Sequence, residues 1–382
     1  MIKCNYIFTK YILSTKGVKL IMIKKNYCKF IVYILTLCIS LSLLSQRAFA
    51  VQKDGKINVN ARCAIALDCK TKIVLFEKNA DSLVPIASTT KIMTALVAIK
   101  YGDLDKKVII SDKAANIHGS TVGYKKGEAV SIKELLFGLM LRSGNDASIA
   151  VSEGVAGSVE EFVKLMNEYA LQLGLINTHF EVPHGLDEPY HYSTAYDLAL
   201  VTAKAKELPI FNEIVGAKDA DGKNYGFTRS YRNINKILWL LPAADGVKTG
   251  YTGNAGKCLV TSAKLQGNDI VIITLNCNGR WNETKKIYDY VNKNYEYRKF
   301  FSKDEKIDRI KVNSMKKHAN LVCGSDIIIP VKKSDSYSVK IQKPSGNIKT
   351  SISGYKQLGS IEIYQGDKLV YKEPLNVKGQ GR

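Results

Sequence analysis

Apolar and polar positions along this 382-residue chain fall into three textures. Near the front, CAIALD (63–68) and KIVLFE (72–77) are short apolar runs about a polar turn, the pattern of two strands. The middle is helical. SIKELLFGLMLR (131–142) opens with Ser131 and Glu134 at capping-box spacing; SVEEFVKLMNEYALQLG (158–174) opens with Ser158 and Glu161 and closes on Gly174. STAYDLALVTAKAK (193–206) reads as a third helix with Ser193 at its cap. Strand-like runs return at 257–264 and 269–277, and RWNETKKIYDYVNKNY (280–295) reads as a closing helix. Strands at both ends with helices between predict one sheet built from both ends, carrying a helical insertion. After about residue 300 the segments shorten and alternate, as in SYSVKIQ (336–342) and SIEIYQGDKLVYK (360–372). That texture predicts a small all-β module.

The first fifty residues stand apart. Lys24, Lys25 and Lys29 precede the apolar run FIVYILTLCISLSLL (30–44), and SQRAFA follows with Ala48 and Ala50 in small-x-small spacing. Basic head, short apolar core and small-residue exit read as a secretory signal peptide over 1–50. Met22 is a more ordinary start for such a leader. The apolar run, 15 residues long, falls short of the roughly 20 that a bilayer requires. Cys38 follows LTL, so there is no lipobox. The reading is an exported protein, on the outer face of the membrane, in the wall or secreted.

Charge narrows the partners. The whole chain carries +21, and the leader accounts for eight basic residues and no acid, leaving +13 for the remainder. A basic surface suits anionic partners, and for an exported chain phospholipid or wall polymers fit better than nucleic acid. A Lys-rich solubilising surface explains the charge equally well. Five cysteines remain after the leader: Cys63, Cys69, Cys258, Cys277 and Cys323. An odd, scattered set is no disulfide framework. A hairpin about the QGND turn would bring Cys258 near Cys277, as a disulfide or as two buried thiols. No Cys/His cluster has zinc-ligand spacing, so neither metal nor cofactor is expected.

The candidate chemistry begins in PIASTTKIMTALVAIK (85–100). A serine before an apolar run is commonly a helix cap, and S-x-x-K occurs twice more, at Ser314–Lys317 and Ser353–Lys356. Three residues apart on a helix, however, Ser88 and Lys91 face the same way. A lysine held neutral by burial or a nearby cation can then serve the hydroxyl as base. Ile92, Met93, Leu96 and Val97 supply an apolar setting. Ser143-Gly144-Asn145 follows 55 residues after Ser88, and Lys248-Thr249-Gly250 comes 103 residues beyond Asn145. S-x-x-K, S-x-N and K-T-G in that order are the signature of penicillin-recognising serine enzymes. The C-terminal Ser345-Gly346-Asn347 and Ser353–Lys356 stand in the wrong order, with no K-T-G behind them.

With the trio in place, PIASTTKIMTALVA, LLFGLMLRSGNDASIAVSE, FEVPHGLDEPYHYSTAYDLAL and DGVKTGYTGNAGKCLVTSAK resemble blocks of the D-alanyl-D-alanine carboxypeptidases, the low-molecular-mass penicillin-binding proteins. The resemblance covers roughly 60–300 and, more loosely, the β-rich tail. It implies an α+β fold of the β-lactamase/DD-peptidase type over 51–300: an antiparallel sheet flanked by helices, with a helical subdomain. A small β-sandwich-like domain would follow over 301–382. It also implies the roles. Ser88 would attack the carbonyl of the penultimate D-alanine of a peptidoglycan stem peptide, and Lys91 would take its proton while Lys248 helps keep it neutral. Ser143 would pass the proton to the departing nitrogen. Asn145 would hold the substrate amide, and Lys248 and Thr249 the terminal carboxylate. The backbone N–H groups of Ser88 and Tyr251 would form the oxyanion hole, and Gly250 would allow close approach. β-Lactams would acylate the same serine. His184 in HGLD reads as a structural turn or a proton-transfer group. Arg280 reads as added charge at the carboxylate site or as a surface residue.

Other readings share the trio. A DD-endopeptidase is close. A class A β-lactamase needs a deacylating glutamate between S-x-N and K-T-G, and no E-x-x-x-N occurs in 146–247. A penicillin sensor should carry transmembrane signalling segments, and none follows the leader. Many relatives end in an amphipathic membrane-lying helix; PLNVKGQGR does not read as one.

Overall fold

The computed structural model describes residues 57–312, 317–343 and 357–378. The proposed leader and the C-terminal S-x-N and S-x-x-K look-alikes lie outside them, as do residues 379–382.

The sheet is built from both ends, as the pattern predicts. Strands β1 (Cys63–Asp68) and β2 (Val74–Lys78) come from the front; β3 (Ala244–Thr252), β4 (Gly256–Leu265) and β5 (Asn268–Leu275) come from the far side of the helical insertion. The order is β2-β1-β5-β4-β3, antiparallel throughout. β1 is buried at every position, because the sheet is covered on both faces. One face packs against the insertion through Ile65, Leu67, Val260 and Ile273. The other packs through Ala64, Leu259 and Ile272 against Ile287 and Val291 of the closing helix (Arg280–Asn294).

Helix α1 (Lys91–Tyr101) runs through the middle of the insertion. Ile92 through Ala98 are all buried, so α1 is a core helix rather than a one-faced surface helix. Around it lie α2 (Ile132–Leu141), α3 (Asn145–Ala156), α4 (Val159–Gln172) and α5 (Ala195–Ala205). Ser131 and Ser158 cap as their spacing predicts, each accepting the N–H three residues on. The reciprocal half of the first capping box does not form. Glu134 is buried and turns to Thr228 and Tyr231 instead, tying α2 to the 228–231 segment. The cap of α5 is Thr194 rather than Ser193, since the Thr194 side chain accepts from Asp197 N. Ser193 is engaged with Thr178.

β6 (Tyr295–Phe301) leaves the closing helix directly and pairs with β9 (Ile327–Lys332). Strand pairing of the tail therefore starts a few residues before its texture changes. A five-stranded sheet, β7-β8-β12-β11-β10, is formed by Lys306–Val312, Lys317–Cys323, Lys368–Lys378, Gln357–Gln365 and Tyr337–Gln342. Leu321, Ile329, Ile361 and Leu375 fill the core between it and the β6–β9 pair. The Tyr297 hydroxyl donates to Asp68, linking this module to β1.

The QGND hairpin does not pair its cysteines. Cys258 belongs to the core under the insertion and Cys277 to the core on the opposite face. All five described cysteines are free thiols. Denatured, unreduced protein spanning 51–382 should therefore titrate five thiols with a chromogenic disulfide; two fewer would mean a buried bridge.

Candidate active site

Ser88 sits in a one-turn 3₁₀ helix, Ala87–Thr90, that feeds straight into α1. Lys91 is the first residue of α1 and is fully buried. Its Nζ lies 2.9 Å from Ser88 Oγ, 2.8 Å from Asn145 Oδ1 and 2.7 Å from the His184 carbonyl oxygen. Among the described residues no carboxylate pairs with it. Burial, and then the charge of Lys248, push the Lys91 amine well below the usual lysine range; Asp146 pulls the other way with a smaller effect than either.

Ser143 and Asn145 lie on the turn between α2 and α3. Ser143 is buried with φ 64°, and Asn145 opens α3. The Asn145 amide is braced on both sides, Oδ1 toward Lys91 and Nδ2 donating to the His118 carbonyl (2.8 Å). Its backbone N–H donates to Ser120 O (2.7 Å). The loop supplying those carbonyls is gripped by Asp146, whose carboxylate accepts from the backbone N–H of Val122, Gly123, Tyr124 and Ala147.

Lys248, Thr249 and Gly250 lie on β3, the edge strand, so one side of their backbone is unpaired in the sheet. β3 passes against the serine turn at backbone distance: a Cβ on Gly250 would lie 3.2 Å from Ser88 N and 3.1 Å from Ala87 Cβ. Lys248 is buried, with Nζ donating to Thr249 O (3.1 Å). Burial first, then Arg280, bring its amine down to about 7. Tyr251 points its side chain outward, 67% exposed, while its backbone stays in the ladder opposite Lys257.

The three motifs thus converge, with Lys91 and Asn145 in direct contact and β3 against the serine turn. The two open residues resolve. Arg280 is no loose surface group; its guanidinium donates to the carbonyls of Gly250 (2.9 Å) and Cys258 (3.0 Å) behind β3. His184 contributes its main-chain oxygen to Lys91, while its ring is buried, accepts from Leu186 N and is pushed down to about 3, chiefly by burial. The adjoining Gly185 has φ 82°, and a Cβ there would sit 2.0 Å from Ala87 O, so only glycine fits. Asp187 of the same loop accepts from Thr252 Oγ1 (2.7 Å) at the end of β3.

Sequence reasoning passed over Asp146, Thr90 and His191. Asp146 had one visible signal, a carboxylate directly after S-x-N in the first turn of a helix. Among the described residues no group of three or more His, Cys, Asp or Glu side chains could hold a metal ion. Nor is any described helix long and apolar enough to cross a membrane.

Comparison with known proteins agrees with this architecture. A family model described as D-alanyl-D-alanine carboxypeptidase matches residues 47–279, and a model of the penicillin-binding protein 5 C-terminal domain matches 295–380. D-alanyl-D-alanine carboxypeptidase DacF of Bacillus subtilis is 34% identical, across 90% of this chain and 92% of that protein. DacC of Escherichia coli is 38% identical over 65% of each. The crystal structure of penicillin-binding protein 5 from Haemophilus influenzae superposes with a TM-score of 0.75 at 28% identity, over 85% of this chain and 98% of that one. The fold and its converging motifs define a penicillin-binding hydrolase of the DD-peptidase type. The chain belongs to the D-alanyl-D-alanine carboxypeptidase family.

Asp146→Asn keeps the shape but loses the charge that four N–H groups share. It should destabilise the protein by about 2–3 kcal/mol in thermal or denaturant unfolding. An unchanged transition would remove Asp146 as the anchor of the 118–124 loop.

Proposed function

We propose that the chain releases the terminal D-alanine of peptidoglycan stem peptides by acylation of Ser88, with Lys91 as general base. The observation that carries this is the environment of one nitrogen. A neutral amine has two N–H donors and one lone pair. Two of the three contacts of Lys91 Nζ are to pure acceptors, Asn145 Oδ1 and the His184 carbonyl. The third is the Ser88 hydroxyl, which can then donate its proton to the lone pair.

The substrate carboxylate would lie at Lys248 and Thr249, where a buried cation and a hydroxyl suit a free C-terminus. The peptide would run along the open edge of β3. Ser88 Oγ attacks the carbonyl carbon of the penultimate D-alanine as its proton passes to Lys91 Nζ. The oxyanion is held by the N–H groups of Ser88 and Tyr251. The C–N bond breaks, and the proton reaches the departing D-alanine nitrogen through Ser143. Water then hydrolyses the ester on Ser88. A β-lactam acylates the same oxygen. Export through the 1–50 leader, and contact of the basic surface with anionic lipid or wall polymers, complete the reading.

The direct test is free D-alanine released from a diacyl-L-Lys-D-Ala-D-Ala peptide by the 51–382 protein, with and without penicillin G. Penicillin-sensitive release that Ser88→Ala abolishes, together with covalent labelling, is the expected result. Labelling without release would point to an endopeptidase, a transpeptidase or a sensor; labelling retained in Ser88→Ala would move the nucleophile elsewhere.

The two lysines set the pH profile with opposite signs. kcat/KM should fall on the acid side as Lys91 takes up a proton. It should fall again above about 7 as the free enzyme loses the Lys248 proton. Bound carboxylate favours charged Lys248, so the alkaline limb of kcat should lie at higher pH than that of kcat/KM. Coincident limbs would separate Lys248 from carboxylate binding.

A further inference from the structure

His191 is buried and has no part in the reaction above, yet its ring ends a hydrogen-bond chain on the nucleophile turn. The Glu181 N–H donates to His191 Nδ1 (3.1 Å). With Nδ1 an acceptor, the ring proton is on Nε2, which donates to Thr90 Oγ1 (2.7 Å). The Thr90 hydroxyl donates in turn to Ala87 O (2.8 Å). All the links run in one direction, so each strengthens the next.

The last acceptor gives the chain its consequence. Ala87 C=O and Ser88 N–H belong to one planar trans peptide unit, and so point in opposite directions. Fixing the oxygen toward Thr90 turns the Ser88 N–H away from it, on the side of the turn where β3 passes. Ala87 has φ 48°, a conformation that costs a residue with a Cβ of order 1–3 kcal/mol and persists only where its surroundings hold it. The Thr90 hydroxyl and the close-packed Gly185 backbone meet that same carbonyl oxygen.

We propose that His191, acting through Thr90, is a positioning residue that orients and polarises the Ala87–Ser88 peptide so that its N–H serves the oxyanion. The inference rests on the acyl-enzyme reading. The chain requires a neutral ring, since a proton on Nδ1 would face the Glu181 N–H. Burial above all, against the pull of Asp187, brings the His191 ring down to about 4, so that it is neutral above that pH. Asp187, Glu188 and His191 line one groove of about 540 Å³.

The test is the rate of penicillin G acylation of Thr90→Val, Thr90→Ser and His191→Phe, with the non-covalent binding constant resolved from the acylation step. Final label stoichiometry counts the folded, active fraction of each. Removing a whole oxyanion donor costs about 10²–10³ in rate; misaligning one should slow acylation by roughly tenfold or more in Thr90→Val and His191→Phe. Thr90→Ser keeps the hydroxyl and should retain the wild-type rate. The binding constant should not move in any of them, because Lys248 and Thr249 are untouched. Wild-type acylation by Thr90→Val would overturn the proposal, as would equal slowing in Thr90→Ser. If Thr90→Val does not fold, His191→Phe decides: an unchanged rate there overturns it too. Wild-type protein that penicillin does not label at all would instead overturn the acyl-enzyme reading on which the proposal depends.

Discussion

A lysine amine buried without an anion is the constraint around which this molecule is arranged. Taking an ammonium out of water is costly unless it is paired, and a lysine denied a partner gives up its proton instead. Lys91 is denied one. Asp146, the carboxylate that acts on it electrostatically, is engaged with four backbone N–H groups; Lys248 is a second buried amine close by, and burial pushes the neighbouring His184 and His191 rings toward their neutral forms. What remains around Nζ is a hydroxyl and two acceptor oxygens, drawn from residues 88, 145 and 184. The burial of α1 on all sides, the turn that starts α3 and the HGLD loop all serve that one position. A proton-accepting lysine is the state this arrangement favours.

Close backbone approach is the second condition. The serine turn is pressed between β3 and the HGLD loop, with Gly250 on one side and Gly185 on the other. A side chain at position 185 would collide with the Ala87 carbonyl, and one at position 250 would push β3 a few tenths of an ångström from the serine turn. Arg280 braces the same strand from behind, and Asp187 ties its far end to the loop. Arg280 also acts electrostatically, since its charge lowers the Lys248 amine further. The β module joins this assembly at β1 through Tyr297 and Asp68.

Local signals in the chain were accurate where local physics decides the outcome. Ser131 and Ser158 cap because a side-chain oxygen three residues ahead of a free N–H needs nothing from elsewhere. They failed where a distant partner competes. Glu134 leaves its own cap for Thr228 and Tyr231, 94 and 97 residues away in sequence. Ser193 yields to Thr194 because Thr178 engages its hydroxyl. The hairpin joining Cys258 and Cys277 was legible, but the sheet face each thiol occupies was not, and opposite faces exclude a bond.

Taken by itself, the chain determined the three motifs, their order, the strands at both ends and the change to short alternating segments in the tail. Those depend on periodicity and on residue types that the chemistry requires. Only the tertiary structure decided that Lys91 is unpaired, that Arg280 braces β3 and that Asp146 holds a loop. It also decided that His191 reaches the serine turn through Thr90. Each of these depends on burial, on dielectric surroundings and on oxygens brought in from remote segments. Such quantities do not exist until the segments are packed together.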